Sequence, residues 1–264
     1  MKITHQRRIL TVTLLIAAVG ALVWFLIRPD PEPTYQGKPL SYWLDGFVSG
    51  NPSPDKATEA VRQIGTNAIP TLLCLLRAED SKFKLKLIQL SQKQHVINIK
   101  LKYAGTRQKE VFYGFLALGA LAKSAVPALL EIYNEHRTGT YDNFLETAAL
   151  IANMGPAAAD AVPRFVKATT DTNFQDRFNA VLTLSRIRAR PDLSVPALTA
   201  SLRDPHETVR GTAALCLVDF GTNARSAIPE MTRLLADPDP DVRRDDAEAL
   251  RKIDPEAAAK AGAK

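Results

Sequence analysis

Arginine recurs at positions 177, 210 and 243 and proline at 163, 196 and 229, each at a step of 33. A fixed period of this size, filled with Ala and Leu, restricts the chain to an α-solenoid. Each repeat is then a helix pair that cannot bury its apolar face alone and must stack on its neighbours.

The repeats share an internal grammar. An Ala/Leu-rich first helix ends near a glycine, and a second helix opens on Val or Ile followed by Pro. Gly119 to Pro127, Gly155 to Pro163 and Gly221 to Pro229 are each eight positions apart. Glycine suits the left-handed residue past a helix end, and proline suits the first turn of the next helix, where an N–H has no intrahelical acceptor. Ser124, Asp160, Ser194 and Ser226 stand where capping oxygens are expected. The spacing predicts helix pairs 54–64 with 69–77, 110–118 with 126–136, 142–154 with 162–168, 173–186 with 195–202 and 206–220 with 228–235. A further helix is expected over 240–253, and the Ala-rich segment 254–264 is expected to fray or to cover the last apolar face.

The segments LRDPHETVRGTAAL at 202–215 and LADPDPDVRRDDAEAL at 235–250 resemble HEAT repeats, in particular the short type named after the phycobilisome lyases. The resemblance covers roughly 54–253 and implies an all-α solenoid of about five to six helix pairs. It also implies that Asp171, Asp204 and Asp237, recurring at the same step as Arg177, Arg210 and Arg243, tie neighbouring repeats together as a structural ladder. The competing reading of these arginines is a row of sites for an acidic ligand. The family serves scaffolds, lyases, hydroxylases and DNA glycosylases alike, so the resemblance speaks for architecture.

Ile9 to Ile27 is nineteen residues without a charge. As a helix it would span about 28 Å, enough to cross a bilayer. Lys2, Arg7 and Arg8 precede it with no acidic residue, which places residues 1–8 in the cytoplasm and sends the chain from Arg28 onward across the membrane. A cleaved signal peptide is the alternative, but its apolar core is shorter, about 7 to 15 residues. The expected organisation is a cytoplasmic N-terminus at 1–8, a transmembrane signal anchor at 9–27, a Pro-rich stalk at 28–40 and the solenoid at 41–264. Ser41 is expected to cap a short helix carrying Tyr42, Trp43, Leu44 and Phe47, with Trp43 plugging the open end of the first repeat. An anchor, a stalk and HEAT-type repeats in this order are similar to membrane-anchored bacterial HEAT-repeat proteins.

Charge is unevenly spread. The net +6 is made of +3 before the apolar span, +8 between Ser81 and Lys109 and −5 elsewhere. The basic segment contains Lys82, Lys84, Lys86, Lys93, Lys100, Lys102, Arg107 and Lys109 with no acidic residue, and it interrupts the repeat spacing with about 24 extra positions. Its first half, 81–94, has the periodicity of an amphipathic helix, and 97–103 alternates as a strand would. It is either a solvated insert or a surface for a protein partner, anionic lipid or another polyanion.

Catalytic patterns are absent. His5, His95, His136 and His206 are scattered, and His206-Glu207 at a helix start reads as a solvated pair. No metal site, cofactor site or nucleophile constellation is expected. Cys74 and Cys216 read as buried core residues several repeats apart. The sequence thus points to a non-catalytic scaffold in a bacterial inner membrane, its C-terminal domain outside the cytoplasm. A basic HEAT protein gripping nucleic acid and a lyase-like enzyme are the alternatives, and translocation disfavours nucleic acid.

Overall fold

The computed structural model of the protein describes residues 32–78, 104–136 and 141–263. One compact unit begins at Thr34, not at Ser41 as the sequence suggested. Two short strands, β1 (Thr34–Tyr35) and β2 (Lys38–Pro39), pair antiparallel. Gln36 and Gly37 both have positive φ, the geometry of a tight two-residue hairpin. The far end of the expected stalk is therefore folded onto the solenoid. Helix α1 (Leu40–Ser49) follows directly. Its N-cap is Pro39, with no side-chain cap bond, so Ser41 does not serve as expected. Trp43 is buried and donates its indole N–H to the Tyr35 carbonyl at 3.3 Å. It closes the first repeat, as the sequence implied.

The helix pairs succeed one another as α2 (Pro54–Ile64) with α3 (Ile69–Arg77), α4 (Ala104–Leu118) with α5 (Val126–His136), and α6 (Tyr141–Asn153) with α7 (Val162–Ala168). Next come α8 (Phe174–Ile187) with α9 (Pro191–Ser201), α10 (Glu207–Leu217) with α11 (Ile228–Leu234), and finally α12 (Pro240–Ile253) with the short α13 (Pro255–Lys260). The first helices α2, α4, α6, α8, α10 and α12 pack side by side in chain order. Leu184, Leu217 and Leu250 occupy one register position at steps of 33, and each is fully buried. A single apolar cluster runs from Leu40 to Ala258, so the core is continuous along the stack. Ala258 on α13 is buried, and the C-terminal segment covers the last face.

The run Gly105–Glu135 is long and apolar enough, by length and composition, to cross a membrane. It is nonetheless two helices, α4 and α5, divided at Gly119, and its apolar residues Val111, Phe115, Leu118, Leu129 and Ile132 belong to the repeat core. The apolar span at 9–27 lies outside the described residues.

Where the sequence suggested short capped loops, the chain continues as 3-10 helix over Gly65–Ala68, Gly119–Ala125, Gly155–Ala161 and Val218–Ala227. The glycines turn the chain at φ between +50° and +63°. Gly221, with ψ −126°, sits in a region that a Cβ makes costly. Because the 3-10 segment feeds straight into the second helix, the residues preceding α3, α7 and α11 are already helical and no side chain caps those helices. Ser194 is instead buried inside α9, donating to the Ala189 carbonyl at 2.9 Å. The fourth repeat lacks the glycine. Arg188 and Arg190 take the left-handed conformation there, and α9 begins four residues earlier than expected. Cys216 is buried, but Cys74 is exposed. On α3 the core side is set by Ile69, Leu72 and Leu76, and position 74 falls on the opposite side.

Candidate functional site

The turns that join one repeat to the next carry the periodic charges, and their geometry is built from the residues upward. Asp171, Asp204 and Asp237 each accept the backbone N–H two residues on, from Asn173 (3.3 Å), His206 (2.9 Å) and Asp239 (3.0 Å). Those next residues are in turn the N-caps. Asn173 accepts from Gln175 N–H, His206 Nδ1 from Thr208 N–H, and Asp239 from Asp241 and Val242 N–H. Positions 173, 206 and 239 therefore form a second 33-step series, satisfying the exposed amides at the starts of α8, α10 and α12.

The arginines lock this arrangement. Arg177 Nη1 donates back to the carbonyls of Asp171 (3.0 Å) and Thr172 (3.1 Å), while Nε and Nη2 reach the Asp204 carboxylate at 2.6 and 2.8 Å. Arg210 repeats the pattern, with Asp204 and Pro205 carbonyls behind and Asp237 ahead at 2.8 Å on both nitrogens. Both pairs are mostly buried, with side-chain exposures of 11% and 5% and of 13% and 7%. Each fork-to-fork pair bridges consecutive repeats, and the bidentate geometry is specific to guanidinium. The ladder is thus structural along 171–237. Burial pushes the Asp204 carboxyl up, but the Arg177 hydrogen bonds and the His206 N–H outweigh it and leave it below the ordinary Asp range. Hydrogen bonds from Arg210 hold Asp237 below that range too.

A parallel outer pair was not anticipated. Arg203 grips Glu230 at 2.5 Å through both Nε and Nη2, the same 27-residue reach as the inner rungs, and pulls the Glu230 carboxyl down to about 2. The 203/230 spacing was available in the sequence, but Arg203 is solvent-exposed, and such a pair contributes little. Between the two rows a shallow cleft of about 480 Å³ is lined by Arg203, Asp204, Arg210, Arg233, Asp237 and Pro238.

His206 is not merely solvated. Its ring lies flat on Phe174, with centroids 4.2 Å apart and planes 7° from parallel, and it caps α10. Among the described residues no three His, Cys, Asp or Glu side chains group as metal ligands. Of the basic residues in the segment, Arg107 and Lys109 lie among the described residues. Both lie within α4, which starts at Ala104 instead of the expected residue 110, so they belong to the second repeat and not to an insert. Lys82, Lys84, Lys86, Lys93, Lys100 and Lys102 lie outside the described residues.

One carboxylate breaks the pattern. Asp246 is fully buried on α12, and neither of its oxygens has a hydrogen-bond partner. The register positions 33 and 66 residues earlier hold Ala213 and Ala180, also fully buried. Burial, with the Asp237 charge in support, pushes the Asp246 carboxyl up to about 7.

Residues 195–261 match the family of HEAT repeats. That span takes in α10, α11, α12 and α13 with the Arg210–Asp237 rung, and the HEAT-type reading of the chain rests on it. The solved structures include an engineered protein, 18% identical, similar over 81% of this chain and 96% of its own, with a TM-score of 0.39. No curated protein matches.

Proposed function

We propose that the protein is a non-catalytic HEAT-type scaffold that binds a protein partner. Residues 9–27 would anchor it in a bacterial inner membrane with the solenoid outside the cytoplasm. The observation that carries the non-catalytic reading is the closure of the Arg177 and Arg210 forks on Asp204 and Asp237. Groups that could have formed an acidic-ligand or catalytic row are used instead to join repeats. The HEAT-repeat match at 195–261 supports a role in protein–protein contact. The anchor rests on the uncharged span and on Lys2, Arg7 and Arg8 before it. The basic segment 81–109 is then a surface for an acidic partner face or for anionic headgroups.

Two experiments test this reading. A reporter fused to the C-terminus should be active outside the cytoplasm, and cytoplasmic activity would reject the topology. Replacing Lys82, Lys84 and Lys86 with Gln should weaken crosslinking to the partner in native membranes, most clearly at low salt. Unchanged crosslinking across a salt series would remove the basic segment from the binding surface.

A further inference from the structure

The arginine ladder has three rungs, of which two are closed. Arg243 is held from behind as Arg177 and Arg210 are, its Nη1 donating to the carbonyls of Asp237 (2.7 Å) and Pro238 (3.0 Å). In the two closed rungs Nε and Nη2 then meet a carboxylate 27 residues ahead. At Arg243 α13 follows α12, and no carboxylate of the described residues meets the fork. Most nearby acids are engaged elsewhere: Asp237 with Arg210, Asp239 with the α12 amides, Asp241 and Asp245 with Arg244, and Asp254 with the Ala257 N–H. The exception is Asp246 on the same helix, which is fully buried and makes no hydrogen bond to Arg243. Arg243 is half-buried, and two backbone carbonyls fix the direction of its guanidinium. Little side-chain freedom remains to be lost on binding, which favours binding by lowering its ordering cost.

We propose that Arg243 is a docking point for a carboxylate, an Asp or Glu side chain of the protein partner, received where the closed rungs receive Asp204 and Asp237. The planar two-point geometry selects carboxylate, since that is what the same fork, held by the same pair of carbonyls, takes twice in this chain. An aspartate in a turn before a helix fits best, because in the closed rungs the carboxylate also accepts a backbone N–H from its own chain. The inference rests on the scaffold reading for the identity of the partner but not for the existence of the site.

The test is separable in the same way. The arginine Nε–H signals of the full chain in detergent are followed by NMR while acetate replaces chloride at constant ionic strength. The Arg243 signal should move and saturate with a midpoint below about 0.1 M. Signals of Arg177 and Arg210 should stay still, because their forks are filled, and Arg243→Gln should remove the saturable change. A linear drift shared by all arginines would overturn the site. Tighter saturation by inorganic phosphate than by acetate would overturn the carboxylate assignment. If acetate saturates the site but Arg243→Gln crosslinks to the partner in native membranes as well as the parent does, the docking role is overturned while the site stands. Failure of crosslinking in parent and variant alike, with acetate still saturating, would sink the scaffold reading and the docking role with it, leaving a bare carboxylate site.

Discussion

Arg177 holds Asp204 through two charge-assisted hydrogen bonds of 2.6 and 2.8 Å across a repeat boundary, and Arg210 holds Asp237 in the same way one repeat later. Each aspartate also orders the turn that starts the next helix. A single residue type, placed once per 33 residues, therefore fixes both the spacing of the repeats and the local cap.

Replacing the guanidinium by an ammonium tests the geometry. Arg210→Lys keeps the charge but cannot span both Asp237 oxygens and two carbonyls at once, so it should cost about 1–3 kcal/mol in denaturant unfolding. The stabilisation is also acid-sensitive. Asp204 and Asp237 have lowered carboxyl values when folded, so their contribution is present above the ordinary Asp range and is lost as pH falls through the lowered values. In Arg210→Lys the loss below pH of about 4 should be smaller than in the parent.

Asp246 acts in the opposite direction. Its folded value of about 7 lies above the unfolded one of 3.8, so its neutral form favours folding at low pH. That advantage declines as pH rises from about 4 and is gone above about 7, a change of up to about 4 kcal/mol. Asp246→Ala restores the residue type of Ala180 and Ala213 at this register position. It should stabilise the chain at pH 8 and flatten the pH profile between 4 and 7. Unfolding midpoints across that range decide it: a variant less stable at pH 8 than the parent would mean that Asp246 has partners in solution.

At His206 the reading of a merely solvated residue needs revision. Loss of the α10 cap and of the ring stacked on Phe174 should cost about 1 kcal/mol. His206→Asn keeps a capping oxygen, as Asn173 does in the repeat before, and should recover most of that loss. If the Ala and Asn variants unfold at the same denaturant concentration, the cap is not what His206 contributes.

How far the sequence could be read follows the physics of each element. Ends of α2 and α3 match the expectation because Pro54, Gly65 and Pro70 punctuate the chain where the helices stop and start. Ser124, Asp160 and Ser226 were misplaced because the Gly-to-Pro stretch has the composition of a loop yet continues as 3-10 helix, leaving no free helix start to cap, and Ser194 because α9 begins three residues before it. Cys74 was misjudged because an apolar neighbourhood does not reveal which side of a nine-residue helix faces the core. The β1–β2 hairpin was hidden behind a Pro-rich approach, its one cue being Gly37. The two closed rungs were legible because they are periodic, but the same period also predicted a rung at Arg243, which no carboxylate of the described residues closes. Asp246 was not legible, because its charge is unremarkable in a row of acidic and basic residues and only burial singles it out.

The Arg177–Asp204 and Arg210–Asp237 pairs serve to join repeats and are not open sites for a ligand. A double-mutant cycle on Arg210→Ala and Asp237→Ala measures this directly, from the unfolding free energies of the parent, the two single variants and the double variant. Each single change should cost about 2–4 kcal/mol, since it strands a mostly buried charge. The double variant should recover at least about 1.5 kcal/mol relative to the sum of the two. Single costs that add to within about 0.5 kcal/mol would contradict the account, leaving the two residues as independent neighbours in the turn.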